Sequence, residues 1–186
     1  MSSSAAAVIA ARRRNERDEA DPAGAVVRNH LRALITLVII SLWSGAALIV
    51  VTTVAPAAFR VLPTRALAGA LVGQVLPVLF IAGLVVGALS FVLAPRGAPR
   101  VILRRIGAAG LIAGCAVAQM VIAPRIAALR ERIGPNLEAL AASDPLRMAF
   151  GRLHGLSVLS LGVAMLFAAL TLVATVLAVR AAPHHD

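Results

Sequence analysis

Any chemistry in this chain would pass through Phe150-Gly-Arg-Leu-His-Gly-Leu-Ser157, because His154 is the one imidazole set into a long apolar run. An imidazole can carry a proton near neutral pH, ligate a metal or bind a haem iron. Gly151 and Gly155 flank it at the i, i+4 spacing that lets a neighbouring helix come close in lipid, so a polar ring is expected beside a tight contact. Thr52, Thr53, Gln74, Gln119 and Ser157 are uncharged polar side chains that also fall within apolar runs. Such groups are costly in a membrane unless paired, and often mark function. The alternative is hydrogen bonding between helices that fixes a bundle, worth about 0.6–2 kcal/mol a contact. Catalytic residues are not expected: no acidic residue lies in those runs, and G-x-S-x-G, P-loop and H-E-x-x-H patterns are absent. Cys115 is a lone cysteine, which excludes a disulfide framework, zinc-ligand spacing and a C-x-x-C-H haem attachment.

The elements that must position these residues are set by composition. The chain of 186 residues is 60% hydrophobic, with a mean hydropathy of +0.92, well above soluble domains. Four charge-free runs, Ala33–Phe59, Ala66–Pro95, Ile106–Pro124 and Leu153–Val179, each meet the ~20 residues needed to cross a ~30 Å hydrocarbon core as helix. Short alternating segments of a membrane β-barrel are absent, so the backbone must be satisfied within helices. The expectation is an all-α integral membrane four-helix antiparallel bundle. It divides into a flexible cytoplasmic tail over 1–28, the transmembrane domain over 29–180 and a C-terminal tail over 181–186.

The net charge of +10 comes from 18 basic residues, all arginine, grouped at the ends of the runs. Guanidinium groups there suit lipid phosphates. No basic patch interleaved with aromatics exists to read bases, so nucleic acid is not an expected partner. Eleven arginines fall on the side of the termini against seven on the other, and the short loops carry four against two. The positive-inside rule then predicts the inner (cytoplasmic) membrane of a bacterium, multi-pass, with both termini cytoplasmic.

In chain order, the first run should turn at Pro56 and Pro63 and return as the second, where Gly69-x-x-x-Gly73 and Gly83-x-x-x-Gly87 are spaced for helix contact and Pro77 for a kink. Gly110-x-x-x-Gly114 does the same on the third, which is expected to end at Pro124. Ile126, Leu129 and Ile133 then recur at helical spacing and Gly134-Pro135 breaks that helix, giving a partly helical outer loop between helices three and four. Asp144-Pro145 fits an N-cap followed by proline at the first helical position. With this topology Thr52, Thr53, Gln74, Gln119, His154 and Ser157 share the outer half of the spans, a predicted polar cluster. The glycine faces also suit self-association into a homo-oligomer.

Leu42-Trp-Ser-Gly45, Ala55-Pro-Ala-Ala-Phe59, Ala68-Gly69, Pro124-Arg-Ile126 and Phe150 through Ser157, in this order, resemble the transmembrane-protein-205-like family, also catalogued as a domain of unknown function (4149). The resemblance covers residues of about 30 to 180 and implies a four-helix membrane protein without an established activity. Where that pattern has an asparagine after the His-Gly pair, this chain carries Leu159-Ser160-Leu161. The family is distantly similar to four-helix membrane proteins of the copper-resistance D kind, which use intramembrane histidines. That implies His154 as a haem or copper ligand, with Met120 as the second axial ligand of a haem. The reading from the residues themselves expects no cofactor and a structural, scaffolding or stress-related role.

Overall fold

A computed structural model describes residues 7–8, 10–12, 22–95, 100–134, 139–141 and 143–181. Most of the expected N-terminal tail, Pro135, Leu137 and the terminal His184 and His185 lie outside the described residues.

Helix α1 (Pro22–Ile49) passes through a widened π turn (Val50–Val54) into α2 (Ala55–Val61). After a bend over 62–64, α3 (Arg65–Leu93) returns. Helix α4 (Val101–Ala116) passes through a second π turn (Val117–Ile122) into α5 (Ala123–Ile133), and α6 (Pro145–Arg180) closes the fold. The described residues thus contain four stretches long and apolar enough to cross a membrane: Gly24–Val61, Arg65–Leu93, Val101–Ile133 and Pro145–Arg180. Only 22% to 39% of the most apolar window in each is buried in the bundle. The remaining apolar surface needs lipid, and the chain is a multi-pass, all-α membrane protein.

The helices form a closed square in which α1 touches α3, α3 touches α4, α4 touches α6 and α6 returns to α1. Small residues set the tightest edges. A Cβ on Gly107 would stand 2.9 Å from both the Phe167 carbonyl oxygen and the Thr171 amide nitrogen, and the Phe167 ring lies over Gly110. Close approach of this kind replaces the hydrophobic drive that lipid does not supply. Gly83 receives Trp43 from α1 and Cys115 from α4, and Gly87 faces Ala108 and Ile112. The Trp43 indole N–H donates to the Leu79 carbonyl at 2.9 Å, two residues beyond Pro77, through which α3 runs as helix.

Two proline expectations are corrected. The chain does not turn at Pro56, and the third span does not end at Pro124; both prolines lie in the first turn of a helix that continues past them. The physical reason is the π turn before each. A proline ring would strike the carbonyl four residues earlier, and here that carbonyl, on Thr52 or Met120, lies in a turn already widened to i→i+5 pairing. Ala55 N–H donates to Val50 O and Ala123 N–H to Ala118 O in that pattern. The true reversals are the 62–64 bend, where Thr64 caps α3 by accepting from Leu67 N–H, and Gly134, whose φ of +69° stops α5. Asp144 caps α6 as expected, accepting from Leu146 N–H at 2.8 Å.

Candidate functional site

At the end of the bundle away from the termini, here the distal end, the square is not filled. The third span beyond its π turn does not pack on α3 there, and a cavity of about 790 Å³ opens between α3, α5 and the start of α6. Its deep walls are apolar, with Leu76, Pro77 and Phe80 from α3 and Ala123 and Ile126 from α5. The charged side chains lining it are Arg65, Arg130 and Arg147, and among the described residues no carboxylate lines it.

Arg130 crosses the gap to α3. Its Nη2 donates to the Gly69 carbonyl at 3.0 Å, and a Cβ on Gly73 would meet Nη1 at 3.0 Å. The Gly69-x-x-x-Gly73 pair therefore receives a guanidinium, where the sequence pattern predicted a packed helix. The same guanidinium carbon stands 5.6 Å from the Phe150 ring centroid, and Phe150 stacks on His154 with centroids 6.4 Å apart and planes 4° from parallel. Cation–π and ring stacking thus link α5 to the first turns of α6 and hold His154 at the cavity wall. Arg147 Nη1 donates to the Leu140 carbonyl at 2.7 Å.

Of the predicted polar cluster, Gln119, His154 and Ser157 line the cavity. Ser157 is buried, His154 is exposed, and the Gln119 Oε1 is buried with no hydrogen-bond partner among the described residues. Thr52, Thr53 and Gln74 are exposed and lie off the cavity lining; Thr52 donates to Leu48 O within its own helix. Met120 is 67% exposed and is not part of the lining that His154 joins. Gly151 and Gly155 meet nothing within 4 Å, so no helix of this chain uses the close approach expected beside His154.

Sequence reasoning missed the arginines. Arg65 and Arg130 read as link residues, and only the fold brings them to one mouth. Arg147 carried a usable signal, because Arg147, Phe150 and His154 fall at i, i+3 and i+7 on one helix face. Among groups of three or more His, Cys, Asp or Glu side chains, the described residues contain none placed to hold a metal ion.

No curated protein and no solved structure matches the chain. The model of a domain of unknown function (DUF4149) matches residues 38–134, from the first span to the end of α5, and leaves α6 with His154 outside the match. That match covers just over half of the chain, which belongs to the DUF4149 family.

Proposed function

We propose that the protein is a non-enzymatic membrane component that holds a molecule drawn from the lipid phase in the distal cavity, in a structural or stress-related role. The observation that carries this reading is the cavity: apolar in its depth, polar at its mouth and, among the described residues, lined by no carboxylate. Its volume lies in the ~300–1,000 Å³ range of small-molecule sites. The arginine balance supports an inner-membrane location with both termini in the cytoplasm, so that the cavity meets the outer leaflet.

Native mass spectrometry of protein extracted in mild detergent and exchanged into lipid nanodiscs tests the proposal. The wild-type chain is expected to carry an added mass that Ala127→Phe, which fills the wall, removes without loss of fold. A wild-type chain that takes up nothing would overturn it. A haem or copper site at His154 gives a different result in the same preparation, a Soret band or stoichiometric copper lost in His154→Ala, and that outcome would replace the present reading.

A further inference from the structure

Resting on the reading that the distal cavity holds a lipid-phase molecule, we infer that the occupant is a single-chain amphiphile with an anionic oxygen head, carboxylate or phosphate. Charge decides the head. Among the described residues, Arg65, Arg130 and Arg147 meet at one mouth with no carboxylate lining it, and none of the three is ion-paired. Three like charges around an apolar space repel one another until an anion joins them. Each guanidinium has five N–H donors; Arg130 and Arg147 commit one bond each to a backbone carbonyl, at 3.0 and 2.7 Å, and keep the rest. Those bonds also fix the planar forks in place, so little side-chain freedom is lost when a second, bidentate partner arrives.

Depth decides the tail. Gln119 precedes Arg130 by eleven residues on the same continuous helical span, about 16 Å toward the bilayer centre at helical rise. Between those levels the wall is Leu76, Pro77, Phe80, Ala123 and Ile126, which offer contact to hydrocarbon and little else. The head therefore lies at the mouth and the chain runs inward, the direction in which a lipid already lies. A volume near 790 Å³ is that of one ligand of drug-like size, which fits one acyl chain and not a pair. The unpartnered Gln119 Oε1 marks the inner end as a place where a guest donor or water completes the wall.

The chain carries its own reporter. Trp43 is its one tryptophan, tyrosine is absent, and Trp43 packs in the same buried cluster as Phe80, which floors the cavity. Stearic acid with a mid-chain nitroxide should quench Trp43 emission saturably in nanodiscs of neutral phosphatidylcholine, and a nitroxide lysophosphatidic acid separates a phosphate head from a carboxylate. The expected result is binding of the acid, the lysophosphatidic acid or both at least about tenfold tighter than the nitroxide methyl ester, with the gap abolished in Arg130→Gln/Arg147→Gln. Saturable quenching by ester and acid alike would overturn the anionic head while leaving a lipid-phase ligand in place. Saturable quenching by none of the probes, in protein whose melting transition is intact, would overturn both. Because the glutamine pair could fail to fold, Arg65→Gln alone serves as a second variant, and an unchanged preference for acid over ester in both variants would overturn the role given to the arginines.

Discussion

Arg104 is 2% exposed, and its Nε and Nη2 hydrogen-bond to nothing among the described residues. It lies one turn before Gly107, which packs on Thr171, so in the antiparallel α4–α6 pair its level is that of Thr175. The buried hydroxyls near this depth donate within their own helices, Thr36, Ser90, Thr171 and Thr175 each to the carbonyl four residues earlier, and none of them accepts from Arg104 Nε or Nη2. A buried cation with unmet donors opposes folding, and a well-packed apolar side chain of similar length removes that cost. Arg104→Met is therefore expected to stabilise the bundle by about 1–4 kcal/mol, read as a higher midpoint in thermal or denaturant unfolding. A lower midpoint would mean that the guanidinium has an anionic partner in the membrane. Glycines give a second contrast at this scale. Gly107→Ala forces the α4–α6 backbones apart and should cost about 1–3 kcal/mol, whereas Gly155→Ala enters open space and should leave the midpoint of the monomer unchanged. A comparable loss at Gly155 would show that a second copy of the chain covers that face. Spacing in the sequence marked Gly155, which meets nothing, and passed over Gly107, which meets α6, because a pattern records which face a residue shares and not whether anything packs there.

Proline positions were legible at the scale of the element, but their consequence was not. Pro56 and Pro124 read as ends because proline lacks the N–H and crowds the preceding turn; the structure meets that demand with a π turn and carries the helix onward. The hydrophobic run stops near Pro124 because the bilayer core does, while the helix continues to Ile133 with three arginines at positions 125, 130 and 132. Cap chemistry, by contrast, reads locally, and Asp144-Pro145 gave the start of α6 to the residue. The π turn at Val117–Ile122 also sets where Arg130 points. Each residue added to or removed from a helical register rotates the downstream residues by about 100°. Pro124→Ala removes the steric demand for the widened turn and should let it relax to α-helix, swinging Arg130 away from the Gly69 carbonyl. The expected outcome is loss of the preference for the acid over its methyl ester in the tryptophan-quenching assay, as in the arginine variants but with every charge retained. An unchanged preference would mean that packing of α5, and not Pro124, holds the turn open.

For the whole molecule, four antiparallel crossings place the start of α1 and the end of α6 on one side and the 62–64 bend, the end of α5 and the start of α6 on the other. Four crossings were legible because bilayer thickness imposes a length that composition reports directly; the cavity was not, because it arises from how far one span leans from another. Arginine distribution supports the proposed direction, with both termini cytoplasmic. At the terminal end, Arg100 donates to Leu177 O and Arg105 to Ala94 O, each at 3.1 Å; the first adds a second donor to a carbonyl that already accepts from Ala181 N–H in the last turn of α6, and the second takes up the C-cap carbonyl of α3. They are anchored there structurally as well as by the positive-inside bias, which makes that end costly to translocate. Reporters fused to either terminus should be active only in the cytoplasm, and a reporter inserted in the 134–144 link only on the opposite side. Either terminus on the far side would reverse the assignment and turn the cavity mouth toward the inner leaflet. The same geometry predicts the side of entry. In proteoliposomes oriented with the distal links outward, an acid probe restricted to the outer leaflet should quench Trp43 without first crossing the bilayer, while one restricted to the inner leaflet should quench only at the rate of its own flip. Equal, immediate quenching from both leaflets would mean that the cavity is open to lipid on both sides of the bilayer midplane and not from the distal side alone.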